Sequence, residues 1–399
     1  MKKSRLLVVA DVSPIESRGG SVRLIREQCR RLRERGHDLL VLARSPGDDA
    51  PTETEVDGFP VRHYHVNRTN PLAFFFSSIA GARRAGGRLL GDSSWDAVIF
   101  HQPFSAFGLS PVLARWGVPC AYFFHSPAGV EYRLRARKKH PRATVLFALP
   151  LLRWVERRAL RRSSVIVVLS DFSRRELFDQ HGEIPREIVK ISGGVDLDRF
   201  HPAGDRKALR ERLGLPSDRL LFLTVRDLEY RMGIDNLILA MRRVRNELRA
   251  LLVIGGTGEL SEELAGMVER LDLASTVRFA GHIPDADLPA YYQVADLFVL
   301  PTRALEGFGL VTAEALASGT PVLGTPVGAT PELLMPLDPG LVTEDASADA
   351  LASGLVRVAP RLGDQALRER CREYAEANFN WERVVDDLEG ALSRMVRTP

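Results

Sequence analysis

The chain of 399 residues has only three cysteines, Cys29, Cys120 and Cys371, odd in number, far apart and without a C-x-x-C pair. That argues against a disulfide framework and a zinc site, and for a reducing cytoplasm. No apolar run approaches the ~20 residues of a membrane span. After Met-Lys-Lys-Ser-Arg only LLVVA precedes Asp11, shorter than the roughly 7–15 apolar residues of a secretory signal core. No G-x-G-x-x-G follows that first apolar segment, which weakens a dehydrogenase reading. Aromatic and basic residues do not interleave as in RNA-binding segments, so no nucleic-acid partner is expected.

What is present is globular, with 45% hydrophobic and 27% charged residues. The length is too great for one ordinary core, so two domains are the prior. The net charge of +4 divides unevenly: residues 1–200 hold 33 Lys+Arg and 21 Asp+Glu, and residues 201–399 hold 22 and 30. The basic amino half therefore suggests an anionic partner; charge alone would admit a phosphate-bearing acceptor, a lipid headgroup or nucleic acid.

RLLVVA reads as a buried strand before a glycine loop, and VRLIREQCRRLRERGHD as an amphipathic helix closed by Gly36. Further strands are expected at 39–43, 96–101, 119–125, 164–170 and 187–192. After the connector GGVDLDRFHPAGD (193–205) the alternation restarts, with strands at 220–226, 250–256, 276–281, 295–301 and 320–325. The expected fold is α/β: two tandem Rossmann-like doubly wound domains, spanning 1–195 and 200–378, facing across an interdomain cleft. The closing amphipathic helix in 379–399 is expected to pack back across the junction.

In ALEGFGLVTAEALASGTP (304–321) two glutamates lie eight positions apart around a Gly-Phe-Gly turn. Glu306 falls in a loop before a helix start and Glu314 about one turn inside. The amides of 307–310 would form an anion site backed by the helix dipole. A carboxylate beside a phosphate is repelled, so the glutamates make sense if they address neutral hydroxyls attached to it. A nucleoside diphosphate sugar offers both. The bland alternative is a solvated loop residue and an ordinary helix-surface residue.

EGFGLVTAE followed by ALASGTPVLGTPVGATPELL resembles the E-x7-E region of family-4 retaining glycosyltransferases with the GT-B fold. The likeness continues in RGG (18–20), RGHDLLVLA (35–43), FFHSP around His125, SDFSRREL (170–177), GGVDLDRFHP (193–202), IGGTGEL (254–260) and GHIPDADLPAYYQVADLFVLP (281–301). The resemblance implies that the amino domain binds the acceptor and the carboxyl domain the donor. It implies that Glu306 bonds sugar hydroxyls, that Phe308, Gly309 and Leu310 offer amides to sugar and phosphate, and that Glu314 holds the ribose. VRDLEYRMG (225–233) matches the family's Arg-plus-Lys phosphate clamp. Arg226 takes the arginine position, but Met232 stands where the lysine belongs, and Arg231 beside it is the candidate replacement. Arg231 reads equally as a surface arginine.

The resemblance further places Gly20 near the leaving diphosphate, Gly256 at the donor, where the glycines alone would read as a tight turn after a strand, and backbone near His282 and Ile283 at the base. It puts His125 at the sugar or acceptor, against the alternative of a structural histidine. It implies attack by an acceptor hydroxyl from the leaving-group face, with retained configuration. The triplets Asp196-Leu-Asp198 and Asp285-Ala-Asp287 read as turn and cap residues, so no metal or other cofactor is expected. The run 133–162 joins a cationic cluster to VLFALPLL. It reads as a peripheral contact with an anionic membrane or lipid-linked acceptor, or as a buried helix with solvated arginines. A sugar-nucleotide epimerase and a basic binding module remain the competing functions.

Overall fold

The computed structural model describes residues 3–16, 19–136 and 142–397. Arg18 of the RGG segment and residues 137–141 of the basic run lie outside them. Two compact units emerge: Met1–Gly193 with Trp381–Pro399, and Gly194–Asn380.

The first unit holds an eight-stranded sheet. Its strands are β1 (Arg5–Ala10), β2 (Asp38–Arg44), β3 (Glu53–Val56), β4 (Phe59–Tyr64), β5 (Ala97–Phe100), β6 (Cys120–Phe124), β7 (Val165–Val168) and β8 (Glu187–Lys190), in the order β3-β4-β2-β1-β5-β6-β7-β8. All pairs are parallel except β3 with β4. That hairpin is absent from the strands read off the sequence. It closes on Asp57-Gly58, both at positive φ, 47° and 81°, the backbone a two-residue hairpin turn demands.

The strands are apolar throughout because both faces are covered. Leu6, Val8 and Ala10 face Leu24, Ile25 and Leu32 of the helix Gly20–Glu34, together with Trp381, Val385, Leu388 and Leu392 of the terminal helix Trp381–Arg397. Leu7 and Val9 point the other way, toward Leu109, Leu113 and Leu160. The terminal helix is also tied by charge. Arg35 reaches Glu382 at 2.7 Å and Asp386, and His37 Nε2 lies 2.8 Å from Glu389. Each fully buried Leu or Val of this seam contributes about 1.5–3 kcal/mol.

The second unit carries β9 (Leu220–Val225), β10 (Ala250–Gly255), β11 (Val277–Gly281), β12 (Leu297–Leu300) and β13 (Val322–Gly324), all parallel, in the order β11-β10-β9-β12-β13. In both sheets the strand order reverses once, between β1 and β5 and between β9 and β12. Loops at such switch points diverge at the carboxyl edge and open a crevice for ligands.

Candidate functional site

At the second switch point, Arg226 directly follows β9 and Glu306 lies in the loop after β12. Neither is a surface residue, with 9% and 7% exposure. Arg226 Nη2 donates to Glu306 Oε2 at 2.6 Å, and Thr302 Oγ1 donates to the same oxygen at 3.1 Å. The Arg226 guanidinium also rests on Met232 Sδ, at 2.9 Å from Nη2 and 3.3 Å from Nε. Thus Met232, where the resemblance leads one to expect a lysine, seats the arginine and brings no charge of its own. Glu306 Oε1 lies 3.7 Å from where a Cβ on Gly309 would sit.

The loops holding this pair are laced together. Arg303 N donates to Arg231 O at 2.8 Å, and Arg231 Nη1 donates to Leu305 O at 3.2 Å. Arg303 Nη2 bonds Asp235 Oδ2 and Asn236 Oδ1, each at 2.7 Å. Leu305 is held at φ 55°, a conformation that L-residues adopt only under constraint. From the far side, Ala329 N donates to Glu306 O at 2.8 Å, and Gly328, at φ 67°, lies so close that a Cβ would overlap the Glu306 backbone. Arg231 is not a free surface arginine: its Nε also reaches Glu229 Oε2 at 3.3 Å.

Gly309, at φ 85°, caps the helix Leu310–Ala317 without a side-chain acceptor, and the amides of Phe308, Gly309 and Leu310 find no acceptor among the described residues. The Phe308 ring is turned inward against Phe379, with centroids 5.7 Å apart, so only its backbone addresses the crevice. Glu314, 3% exposed, accepts from Tyr292 OH at 3.0 Å. Gly256 sits at φ 115°, where a Cβ would overlap Arg226 O, and its amide donates to Gly281 O at 2.6 Å. Ile283 is buried against Gly255, so it offers backbone, whereas His282 is exposed. Arg226, Arg231, Gly256, Glu306, Phe308, Gly309, Leu310 and Glu314 therefore gather at one sheet edge or in the helix just behind it.

The first switch point gathers Asp11 after β1 with His101 after β5, and His125 follows the neighbouring β6. Asp11 caps the helix Pro103–Trp116, accepting from Phe104 N at 2.9 Å and Ser105 N at 3.0 Å. His101 Nδ1 lies 3.1 Å from His125 Nε2, and the rings stack. Burial pushes His125 down to about 4, partly opposed by Glu131, and burial with the neighbouring His125 lowers His101 well below the ordinary imidazole value. Both are neutral at physiological pH, so the pair can donate and accept hydrogen bonds but supplies no cation. Gly20 opens the helix Gly20–Glu34 behind Gly19 at φ 104°. His101 escapes the sequence reading; its signal is a polar end to the apolar strand AVIF. Glu156, buried, lies behind this edge, bonding Ala128 N at 3.1 Å and His181 Nε2 at 2.9 Å. Among the described residues, no three His, Cys, Asp or Glu side chains cluster in a metal-holding arrangement. Asp196 Oδ1 instead accepts from Asp198 N and Arg199 N, at 3.2 and 3.1 Å.

Comparison with known proteins matches residues 18–199 to the model described as "Glycosyltransferase Family 4" and residues 205–378 to "Glycosyl transferases group 1". The chain is 31% identical over 397 residues to the D-inositol 3-phosphate glycosyltransferase of Geodermatophilus obscurus, covering 94% of this chain and 84% of that protein. Among solved structures it resembles sucrose-phosphate synthase from Thermosynechococcus elongatus, with a TM-score of 0.82 at 23% identity and 98% of each chain covered. It also resembles Anabaena Alr3699/HepE in complex with UDP-glucose, with a TM-score of 0.76 at 20% identity, covering 98% of this chain and 99% of that one. These findings lend nothing to the epimerase or the non-enzymatic reading. The chain belongs to the family-4 glycosyltransferases, enzymes of the GT-B fold, and its activity is glycosyl transfer.

Proposed function

We propose that this glycosyltransferase moves a hexose from a UDP- or GDP-linked donor to a hydroxyl of a glycan, glycolipid or small metabolite, with retained anomeric configuration. The observation that carries the reading is the buried Arg226–Glu306 pair set beside three amides at a helix start that find no acceptor among the described residues. The amides of 308–310 receive the diphosphate, Glu306 Oε1 accepts from a sugar hydroxyl, and Glu314, oriented by Tyr292, accepts from the ribose. As the bond from the anomeric carbon to the phosphate oxygen breaks, charge grows on the departing diphosphate. Fixed donors aimed at that charge lower the barrier; these are the amides, the helix dipole, Arg231 and Arg226 Nη1. The acceptor oxygen bonds the anomeric carbon on the face the diphosphate leaves and passes its proton to a diphosphate oxygen. In the first unit, His125, neutral and backed by His101, is the acceptor-side candidate, with Gly20 at the start of its helix.

Two relatives support the substrate classes. The HepE structure holds UDP-glucose, and the Geodermatophilus protein is named for D-inositol 3-phosphate, a hydroxyl-bearing anion. The proposed transfer needs no divalent cation, because the amides and guanidinium groups supply the positive charge. The test is nucleotide release from UDP- and GDP-hexoses, with and without candidate acceptors, before and after a chelator. Acceptor-dependent release that survives chelation supports the reading. Acceptor-free conversion of the donor, or complete loss on chelation, contradicts it.

A further inference from the structure

Three helices, Pro71–Asp92, Pro103–Trp116 and Arg142–Arg162, pack side by side over one face of the first sheet. Each connects or precedes parallel strands and so runs back against them, with its amino end toward the carboxyl edge that carries His101 and His125. Their outer surface is apolar where a solvated face would be polar. Leu72 is 67% exposed, Phe76 64%, Trp154 56% and Leu151 39%. Beneath them half-buried rings join the three helices: Phe76 meets Phe75 at 5.2 Å, Phe75 meets Phe104 at 5.4 Å, and Phe107, one turn on, meets Trp154 at 5.2 Å.

The charge on these helices is nearly all of one sign. Together they contain 10 arginines and two carboxylates, Asp92 and Glu156. Glu156 is buried and spent on His181 and Ala128 N. The arginines are placed in register with the apolar residues. Leu72, Phe76 and Arg83 share one helical stripe, as do Leu151, Trp154, Arg158 and Arg162. At a rise of about 1.5 Å per residue, Arg83 lies roughly 10 Å along the axis from Phe76, and Arg158 roughly 6 Å from Trp154. That offset matches the roughly 5–10 Å by which an interfacial apolar face sinks below the headgroups.

We infer that this three-helix face docks on an anionic lipid bilayer. Leu72, Phe76, Leu151 and Trp154 enter the acyl boundary, and the arginines one to two turns behind sit among the phosphates. The helix Arg142–Arg162 of the basic run is thereby one part of a broader surface that includes the helices Pro71–Asp92 and Pro103–Trp116. No described helix is long and apolar enough to cross the bilayer, so the contact is peripheral. Pairing of two copies through this face would set arginines against arginines. The inference adds a location to the proposed transfer: the acceptor is met at a membrane surface.

Co-sedimentation with vesicles tests this, using phosphatidylcholine alone and phosphatidylcholine mixed with phosphatidylglycerol. The full chain is expected to pellet with the mixed vesicles and to be released by salt. Phe76→Ser with Trp154→Ser should lower partitioning about tenfold or more. Arg83→Glu with Arg158→Glu should do the same, since each arginine contributes roughly fivefold on an anionic surface. All four positions are exposed, so the variants are expected to stay folded, with at most a small drop in melting temperature where the ring contacts to Phe75 and Phe107 are lost, and to keep nucleotide-induced stabilisation, which separates this test from failure of the donor site. Absence of lipid-dependent pelleting, equal pelleting of the variants, or a lipid-free dimer that Phe76→Ser dissolves would overturn the inference.

Discussion

Arg226 and Glu306 are 80 positions apart in the chain, yet their side chains meet at 2.6 Å where β9 and β12 end side by side. The pair is buried and holds the loop that leads to the amides of 308–310 at the helix start. A buried ion pair adds little net stability over an apolar pair of similar volume, whereas removing one partner leaves a stranded charge. Arg226→Ala is therefore expected to cost roughly 3–5 kcal/mol in chemical denaturation. Arg226→Met with Glu306→Gln should recover most of that stability without recovering turnover. A double variant as active as the native chain would remove the pair from the reaction.

Glu306→Gln keeps the shape and an acceptor for Arg226 but loses the charge that the proposed reading sets beside the sugar hydroxyls. Turnover is expected to fall about 100-fold or more, in the range of single preorganised polar groups in active sites. Nucleoside diphosphate should still raise the melting temperature, because the amides and Glu314 are untouched. Unchanged turnover would contradict the role given to Glu306.

In the proposed reading Arg231 supplies the positive charge that Met232 does not. Arg231→Ala is expected to lower kcat/KM about 10- to 100-fold, the loss of one charge-assisted contact. Met232→Lys introduced into that variant should restore much of it, since the lysine would project from the adjacent position of the same turn. If Arg231→Ala is silent, the arginine serves only to hold Leu305 O and Glu229.

Gly328 and Gly214 both have positive φ, 67° and 62°, but only Gly328 has a neighbour, the backbone of Glu306, within reach of an added Cβ. Gly214→Ala should cost the strain alone, roughly 1–2 kcal/mol. Gly328→Ala should cost more and also depress turnover by moving Glu306. Equal losses in stability and activity for the two variants would show that the 325–329 loop does not brace the carboxylate.

His125 has a folded value pushed down to about 4, below its unfolded 6.5. Between those values the unfolded chain binds more protons, so stability rises with pH through the window and is lost as pH falls toward 4. Near pH 5 the native chain should lose roughly 2 kcal/mol relative to pH 7 from this residue alone. His125→Gln should show a smaller loss in urea titrations at the two pH values, with His101 still contributing its own slope. An identical pH dependence would mean that His125 is not held as a neutral ring.

Much of the fold was legible because parallel strands covered on both faces are short apolar runs, as LLVVA, AVIF, VIVV and LFVL are. The hairpin Glu53–Tyr64 was harder: ETEV is polar at the sheet edge, and only the Asp57-Gly58 turn betrays it. At the site, the spacing of Glu306 and Glu314 around Gly309 could be read locally, since a loop, a glycine cap and one helical turn are short-range features. The contacts among Arg226, Met232 and Glu306 could not. They depend on which strands become neighbours at the switch point, and a thioether beneath a guanidinium has no sequence signature. His101 and Tyr292 were missed for the same reason, each oriented by a partner from another element, His125 at 3.1 Å and Glu314 at 3.0 Å.

The most direct measurement is a crystal structure of the chain with bound UDP or GDP. The diphosphate is expected within hydrogen-bond reach of the amides of Phe308 to Leu310 and of Arg231, with the ribose on Glu314. A nucleotide bound at full occupancy away from the 306–314 segment would contradict the account.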